Sequence, residues 1–388
     1  MVKISYSTVV AVSIMVVVVV AIGFFVYGNT FDKPADGPEK SGMTVTDMEG
    51  RTVTLNVPVE RIVLTESSKT AELAAIVGDG FAEKIVGWDS DIKQNAGDEY
   101  AVFVEKYPQL ADIPDVGLLD DGTFSIEKVI SLEPDVVIMH NWQFTWAGDA
   151  TADALTKLEL VGIPVVFVDF YMDPMVNSTK SMLLLGKILD REDRAREIVD
   201  FYNNHVDAVY SRLATMNGTK PSVYVEQGYR GPSEYDITEG DAGWGSIVKK
   251  AGGDNIAEPL LGKSGKPLNP EYLISKSPDI IILTGRNWST PGSIRMGYTS
   301  TPEDTRRTMD GYLARPGWDS INAVKNQKIY AIHQGYTFSV YNFIMLEAFA
   351  KWFYPEEFKD VDPDATIKEY HDRFMPIDYS GTFVCSYY

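Results

Sequence analysis

Cysteine is almost missing from this chain: of 388 residues only Cys385 carries a thiol. With one thiol no intrachain disulfide can form, and no cysteine cluster can hold zinc. Histidine is scarce as well, at four residues. Basic charge is in deficit, with 35 Lys and Arg against 55 Asp and Glu, a formal net charge of −20. Such a surface repels nucleic acid, so no DNA or RNA partner is expected. Enzyme signatures are absent too: there is no G-x-S-x-G elbow, no H-E-x-x-H and no C-x-x-C. "GKS" at 262–264 lacks the earlier glycine of a phosphate-binding loop, and "GDG" at 78–80 lacks the third glycine of a dinucleotide fingerprint. No catalytic set, cofactor site or metal-ligand set is legible, and a non-enzyme is expected.

Long apolar runs are absent with one exception. Residues 9–28, "VVAVSIMVVVVVAIGFFVYG", are uncharged and mostly apolar, long enough to cross a hydrocarbon core of roughly 30 Å as a helix. Lys3 precedes the run, while Asp32, Asp36 and Glu39 follow it. The expectation is a cytoplasmic tip (1–8), a single membrane anchor (9–28) and a bulk outside the cell membrane. A cleaved signal is the alternative. Residues 29–43, polar and rich in Pro and Gly, read as a linker.

What is present in quantity is globular sequence, 45% hydrophobic and 12% aromatic, enough for two cores. It also contains a repeat. "IEKVISLEPDVVIM" (126–139) and "PEYLISKSPDIIIL" (270–283) align Glu127 with Glu271, Pro134 with Pro278 and Asp135 with Asp279. A period this long indicates two similar halves rather than a solenoid. Ser125 and Asn269 are placed to cap a helix in each copy. The helix ends before proline, and a continuous apolar run follows, the mark of a strand covered on both faces. Around these, "TVTDMEGRTVTL" reads as a hairpin, and "RIVLT", "KIVGW", "PVVFVDF", "SVYVEQG" and "KIYAIHQG" read as strands alternating with helices. Residues 175–214 hold helical patterns and no strand signal. The expected fold is α/β: two similar lobes with central, mostly parallel sheets, joined by a long bridging helix, with a ligand cleft between them. The boundaries read as an N-terminal lobe at 44–172, a bridging segment at 173–216 and a C-terminal lobe at 217–388.

In open α/β sheets ligands bind beyond the C-terminal ends of the strands. The residues there become the candidate cleft: Glu66, Trp88, Trp142, Trp146 and Tyr171 from the first half. Glu226, Tyr229, Trp244, Arg286, Trp288 and Tyr336 come from the second. As a set, these aromatics suit a flat ligand, and Arg286 could meet an anionic group. Glu66 and Glu226 hold matching places, which raises contact with a cation or metal. His140 and His333 are candidates to reach the cleft, though lone histidines are more often structural.

The order "VTDMEGRTVTL…VERIVL", "SIEKVISLEPDVVI", a helical bridge, "KAGGDNIAE" and "NPEYLISKSPDIIIL" resembles the substrate-binding proteins of ABC importers for ferric siderophores, haem and cobalamin. The resemblance covers about 44–388. It implies capture of a chelated metal, either a ferric siderophore-type complex or a corrinoid, by a monomeric protein. It also implies delivery to a permease dimer with its ATPase. It further implies that Glu127 and Glu271 dock onto the permease, one carboxylate per lobe. The chain departs from the common pattern in lacking a cysteine for lipid attachment, and the 9–28 helix would anchor it instead. Two other classes stay open: a membrane-anchored surface enzyme and a ligand sensor using the same two-lobed fold.

Overall fold

The hairpin comes first because the local chemistry is complete. β1 (Ser41–Thr46) and β2 (Thr52–Val57) pair antiparallel, Val45 opposite Val53. At the turn Gly50 takes φ +74°, and the Asp47 carboxylate accepts from the backbone N–H of Glu49 and Arg51, both at 3.0 Å. The computed structural model describes residues 41–388, without the side chains of residues 41, 145 and 146. β1 thus takes in three residues assigned above to the linker. The apolar segment 9–28 lies outside the described residues. Among those described, no helix is long and apolar enough to cross a membrane.

The first lobe is built on β3 (Ile62–Leu64), β4 (Ile85–Trp88), β5 (Val136–His140) and β6 (Val165–Val168), in the order β4-β3-β5-β6, all parallel. The second is built on β7 (Ser222–Gln227), β9 (Asp254–Asn255), β11 (Ile280–Gly285), β12 (Ile329–His333) and β13 (Val384–Ser386). Their order is β13-β12-β11-β7-β9, parallel except for β13. A two-residue pair, β8 (Thr238–Glu239) with β10 (Gly265–Lys266), stands apart. The continuous apolar strands are covered on both faces, as their composition requires. In β5, Val136 and Ile138 join a core shared with Val223, Ile282 and Ile332 of the second lobe. Val137 and Met139 face the other way, onto Val165 and Phe167.

The two copies of the repeat fold alike. Helices Ile126–Ser131 and Pro270–Lys276 are capped by the Ser125 hydroxyl, accepting from Lys128 N, and by the Asn269 amide oxygen, accepting from Glu271 N. Before each proline the chain leaves the helix through a left-handed residue, Glu133 at φ +46° and Ser277 at φ +45°. The aspartate after each proline then fastens the next strand to its neighbour. Asp135 accepts from the N–H of Glu60 (2.9 Å) and Arg61 (3.0 Å), and Asp279 accepts from the N–H and hydroxyl of Ser222 (2.9 and 2.8 Å).

The bridge differs from the single long helix expected. It is a pair, Pro174–Ile188 and Glu192–Leu213, broken at Asp190 with φ +54°. Gly186 permits the close return, since a Cβ there would sit 2.3 Å from the Ala195 Cβ. Asn342 stitches the pair to the second lobe, its amide nitrogen donating to Ser178 Oγ (2.7 Å) and its amide oxygen accepting from Tyr202 (2.7 Å).

Candidate functional site

Both sheets aim the C-terminal ends of their strands at one cavity of ≈ 370 Å³. Glu66 follows β3, Asp89 and Asp91 follow β4, Trp142 follows β5 and Tyr171 follows β6. From the opposite side come Tyr229 after β7, Arg286 and Trp288 after β11, and Phe338 after β12. Its mouth lies between lobes that are clasped by several contacts. Arg286 reaches Asp91 (3.6 Å) and Glu99 (3.8 Å), and the Tyr171 hydroxyl donates to the Glu239 carboxylate. Glu72 accepts from Val340 N at 3.0 Å, and the Lys69 ammonium donates to the Phe338 carbonyl.

Seven of the candidate residues lie on this wall: Glu66, Trp142, Tyr171, Tyr229, Trp244, Arg286 and Trp288. Tyr171 stacks on Phe338 with ring centroids 5.0 Å apart and planes 12° apart, and Trp142 leans on the same ring at 6.2 Å. Trp288 meets Tyr229 edge to face at 5.4 Å. The Trp142 indole N–H donates to Glu66 at 2.6 Å, which fixes both side chains.

Three candidates lie elsewhere. Trp88 is 1% exposed and packs edge to face against Tyr100, because a short strand turns it into the core. Glu226 is wholly buried and held by Arg315 at 2.7 and 2.9 Å, so it does not match Glu66 in role. Tyr336 lines an adjoining chamber of ≈ 30 Å³ with Glu99, Tyr298 and His333. The Trp146 side chain lies outside the described residues. Both ring nitrogens of His140 face backbone N–H groups, those of Trp142 (3.2 Å) and Phe170 (2.9 Å), and burial keeps the ring neutral. Among the described residues no group of three or more His, Cys, Asp or Glu is arranged to hold a metal ion.

Sequence reasoning missed Asp89, Asp91, Asp120, Glu239 and Phe338 on the wall. Asp89 and Asp91 were within reach of the strand-end rule that selected Trp88. Glu239 was not, because β8 is two residues long and pairs only with distant β10. Its carboxylate is buried, with the Trp244 backbone N–H donating to it at 3.0 Å. Gly243, at φ +46°, is required beside it, since a Cβ would lie 2.1 Å from a Glu239 oxygen.

Burial pushes the Glu239 carboxyl up from 4.5 to about 8, and burial also raises Glu99 to about 7 against the pull of Arg286. A carboxyl raised in the fold holds its proton after the unfolded chain has lost one, so its contribution to stability is lost as pH climbs from 4.5 through the folded value. The ligand-free protein is therefore expected to lose stability, relative to Glu239→Gln, between pH 5 and pH 8.5. The divergence should reach a few kcal/mol at most, or several degrees in Tm. Parallel Tm-versus-pH curves would refute it.

Two parallel sheets facing one cavity across a helical bridge define a bilobal solute-binding protein. The periplasmic binding protein family matches residues 62–336, and the chain belongs to it. A TroA-like periplasmic binding protein, FepB, from Veillonella parvula is 36% identical with a TM-score of 0.80, covering 88% of this chain and 98% of its own. The molybdate-binding protein MolA of Haemophilus influenzae is 22% identical across 86% of this chain and 91% of its own. YvrC, an ABC transporter substrate-binding lipoprotein of Bacillus subtilis, is 24% identical across 82% and 87%. This protein is thus a solute-binding protein of the ABC-importer type, and it binds its ligand rather than transforming it.

Proposed function

We propose that the protein captures a chelated metal outside the cell membrane and hands it to a permease dimer driven by its ATPase. In this reading the 9–28 segment anchors a monomer, and Glu127 and Glu271 dock onto the permease. The observation that carries the cargo assignment is the cavity wall, where aromatic side chains from both lobes enclose ≈ 370 Å³. Such a volume belongs to small-molecule sites, and ring faces suit the flat, apolar edges of an organic chelator. The size favours a compact siderophore-type complex over a corrinoid. An iron(3+)-hydroxamate-binding protein of Bacillus subtilis, YxeB, 21% identical over 57% of this chain, is consistent with that choice.

The test is a tryptophan-fluorescence titration of the full-length protein, checked by calorimetry, against a ferric hydroxamate, a ferric catecholate, a corrinoid, haem and free ferric ion. Saturable one-to-one binding of one chelate is expected. Trp142→Ala should weaken it about tenfold or more, because a buried aromatic contact is lost. Silence across the panel from a folded protein would overturn the reading.

A further inference from the structure

The cavity is lopsided in charge. Glu66, Asp89, Asp91, Asp120 and Glu239 line it against a single basic side chain, Arg286. That arginine is already met by Asp91 and Glu99 from the opposite lobe. Glu66 has Lys69 at 3.4 Å and adds little net charge. Asp89, Asp120 and Glu239 have no basic partner among the described residues. Asp89 relies instead on neutral donors, the backbone N–H and hydroxyl of Ser67 and the N–H of Asp91. An anion entering here would find no free cation to pair with, whereas a cation would meet carboxyl groups that can ionise to receive it.

Two further observations describe a ligand rather than a charge cluster alone. Aromatic rings share the wall with the carboxylates, Trp142 and Tyr171 from the first lobe and Phe338, Tyr229 and Trp288 from the second, the kind of surroundings in which a cation is held by aromatic quadrupoles. Two buried donors on the same wall, Nε1 of Trp244 and Nε of Arg286, have no acceptor, although these residues are only 2% and 8% exposed. They ask for oxygen acceptors, such as those of a hydroxamate.

Resting on the chelate reading above, we propose that the cargo carries positive charge, either as a cationic complex or through a pendant ammonium, and that the cavity discriminates against polyanionic complexes. Asp89 and Glu239 are the carboxylates that meet this charge inside, and Asp120 meets it at the rim. Burial raises the affinity of Asp89 and Glu239 for protons, so a bound cation displaces protons from them. Binding then strengthens as pH rises through neutrality and weakens with salt.

The test uses full-length protein and three ferric trihydroxamates on one scaffold: a pendant ammonium, its N-acetyl derivative and its N-succinyl derivative. The complexes then differ mainly in net charge. Affinity should fall by about tenfold at each step from cation to neutral to anion. Calorimetry in buffers of different ionisation enthalpy should show proton release for the cation alone. Glu239→Gln should erase much of the discrimination, the cationic complex losing more affinity than the neutral one. Asp120→Asn, an exposed substitution without folding risk, should reduce it more weakly. Equal or tighter binding of the succinyl complex, or capture of the ferric tris-catecholate in preference to all three, overturns this inference and leaves the chelate reading standing. If no chelate of either panel binds to folded protein, both fall together.

Discussion

Replacing Arg315 by methionine should cost about 3–5 kcal/mol of unfolding free energy, measured by guanidinium denaturation, because it strands a buried carboxylate. Glu226 is 0% exposed and Arg315 is 6% exposed. The guanidinium meets both oxygens of Glu226, donates to the Pro232 carbonyl at 2.8 Å, and lies 4.3 Å and 4.5 Å from the ring centres of Tyr235 and Tyr312. Glu226 also accepts from the Tyr224 hydroxyl (3.0 Å) and from Asp236 N (2.9 Å). Together these contacts tie down the 228–236 loop that carries Tyr229 to the cavity. The double variant Arg315→Met/Glu226→Met should recover much of the loss, since the desolvated charge goes with its partner. A single-variant loss below about 1 kcal/mol would show that the pair is not the hub of this lobe.

Reversing both repeat glutamates, Glu127→Lys with Glu271→Lys, should reduce ligand uptake in cells by an order of magnitude or more, while the affinity of the purified protein stays unchanged. Both residues are exposed and stand at the second position of matching capped helices. Neither lines the cavity. A carboxylate there also complements the helix dipole, worth about 0.3–1 kcal/mol. That role predicts a small loss of stability and no transport defect, so the two explanations separate cleanly. Each single reversal should fall between wild type and the double variant. Normal uptake by a folded double variant would remove permease docking from the function of these residues. Lost affinity would instead place them at the binding site.

The repeat also shows how far local sequence reaches. Its helix caps, its prolines and its double-faced apolar strands act through contacts within a few residues, and they appear in the fold at the expected places. The left-handed exits at Glu133 and Ser277 were less legible, because a pre-proline residue is barred from the right-handed helix without being told where to go. The bridge shows the same limit. Helical periodicity over 175–214 indicated helix, but the break at Asp190 depends on Gly186 packing against Ala195.

What the chain determined by itself is the plan: a hairpin, two alternating βα halves, a helical bridge, and strand ends that converge where aromatics are dense. Those features follow from period, capping and turn chemistry, which operate over one or two turns of chain. Only the tertiary structure decided which strand-end residues face the ligand space. Glu66 and Glu226 read as matching positions, yet the registers set Leu64 beside Ile138 and Val225 beside Ile282, so Glu226 matches Thr65 and turns into the lobe. Arg315, 89 residues further along the chain, holds it there, and Gln227 takes the place of Glu66 on the cavity wall. Glu239 reaches the wall through a two-residue strand that no period announces. The direction of a side chain beyond a strand end is set by whatever packs against it, and for these residues the packing partners come from distant parts of the chain.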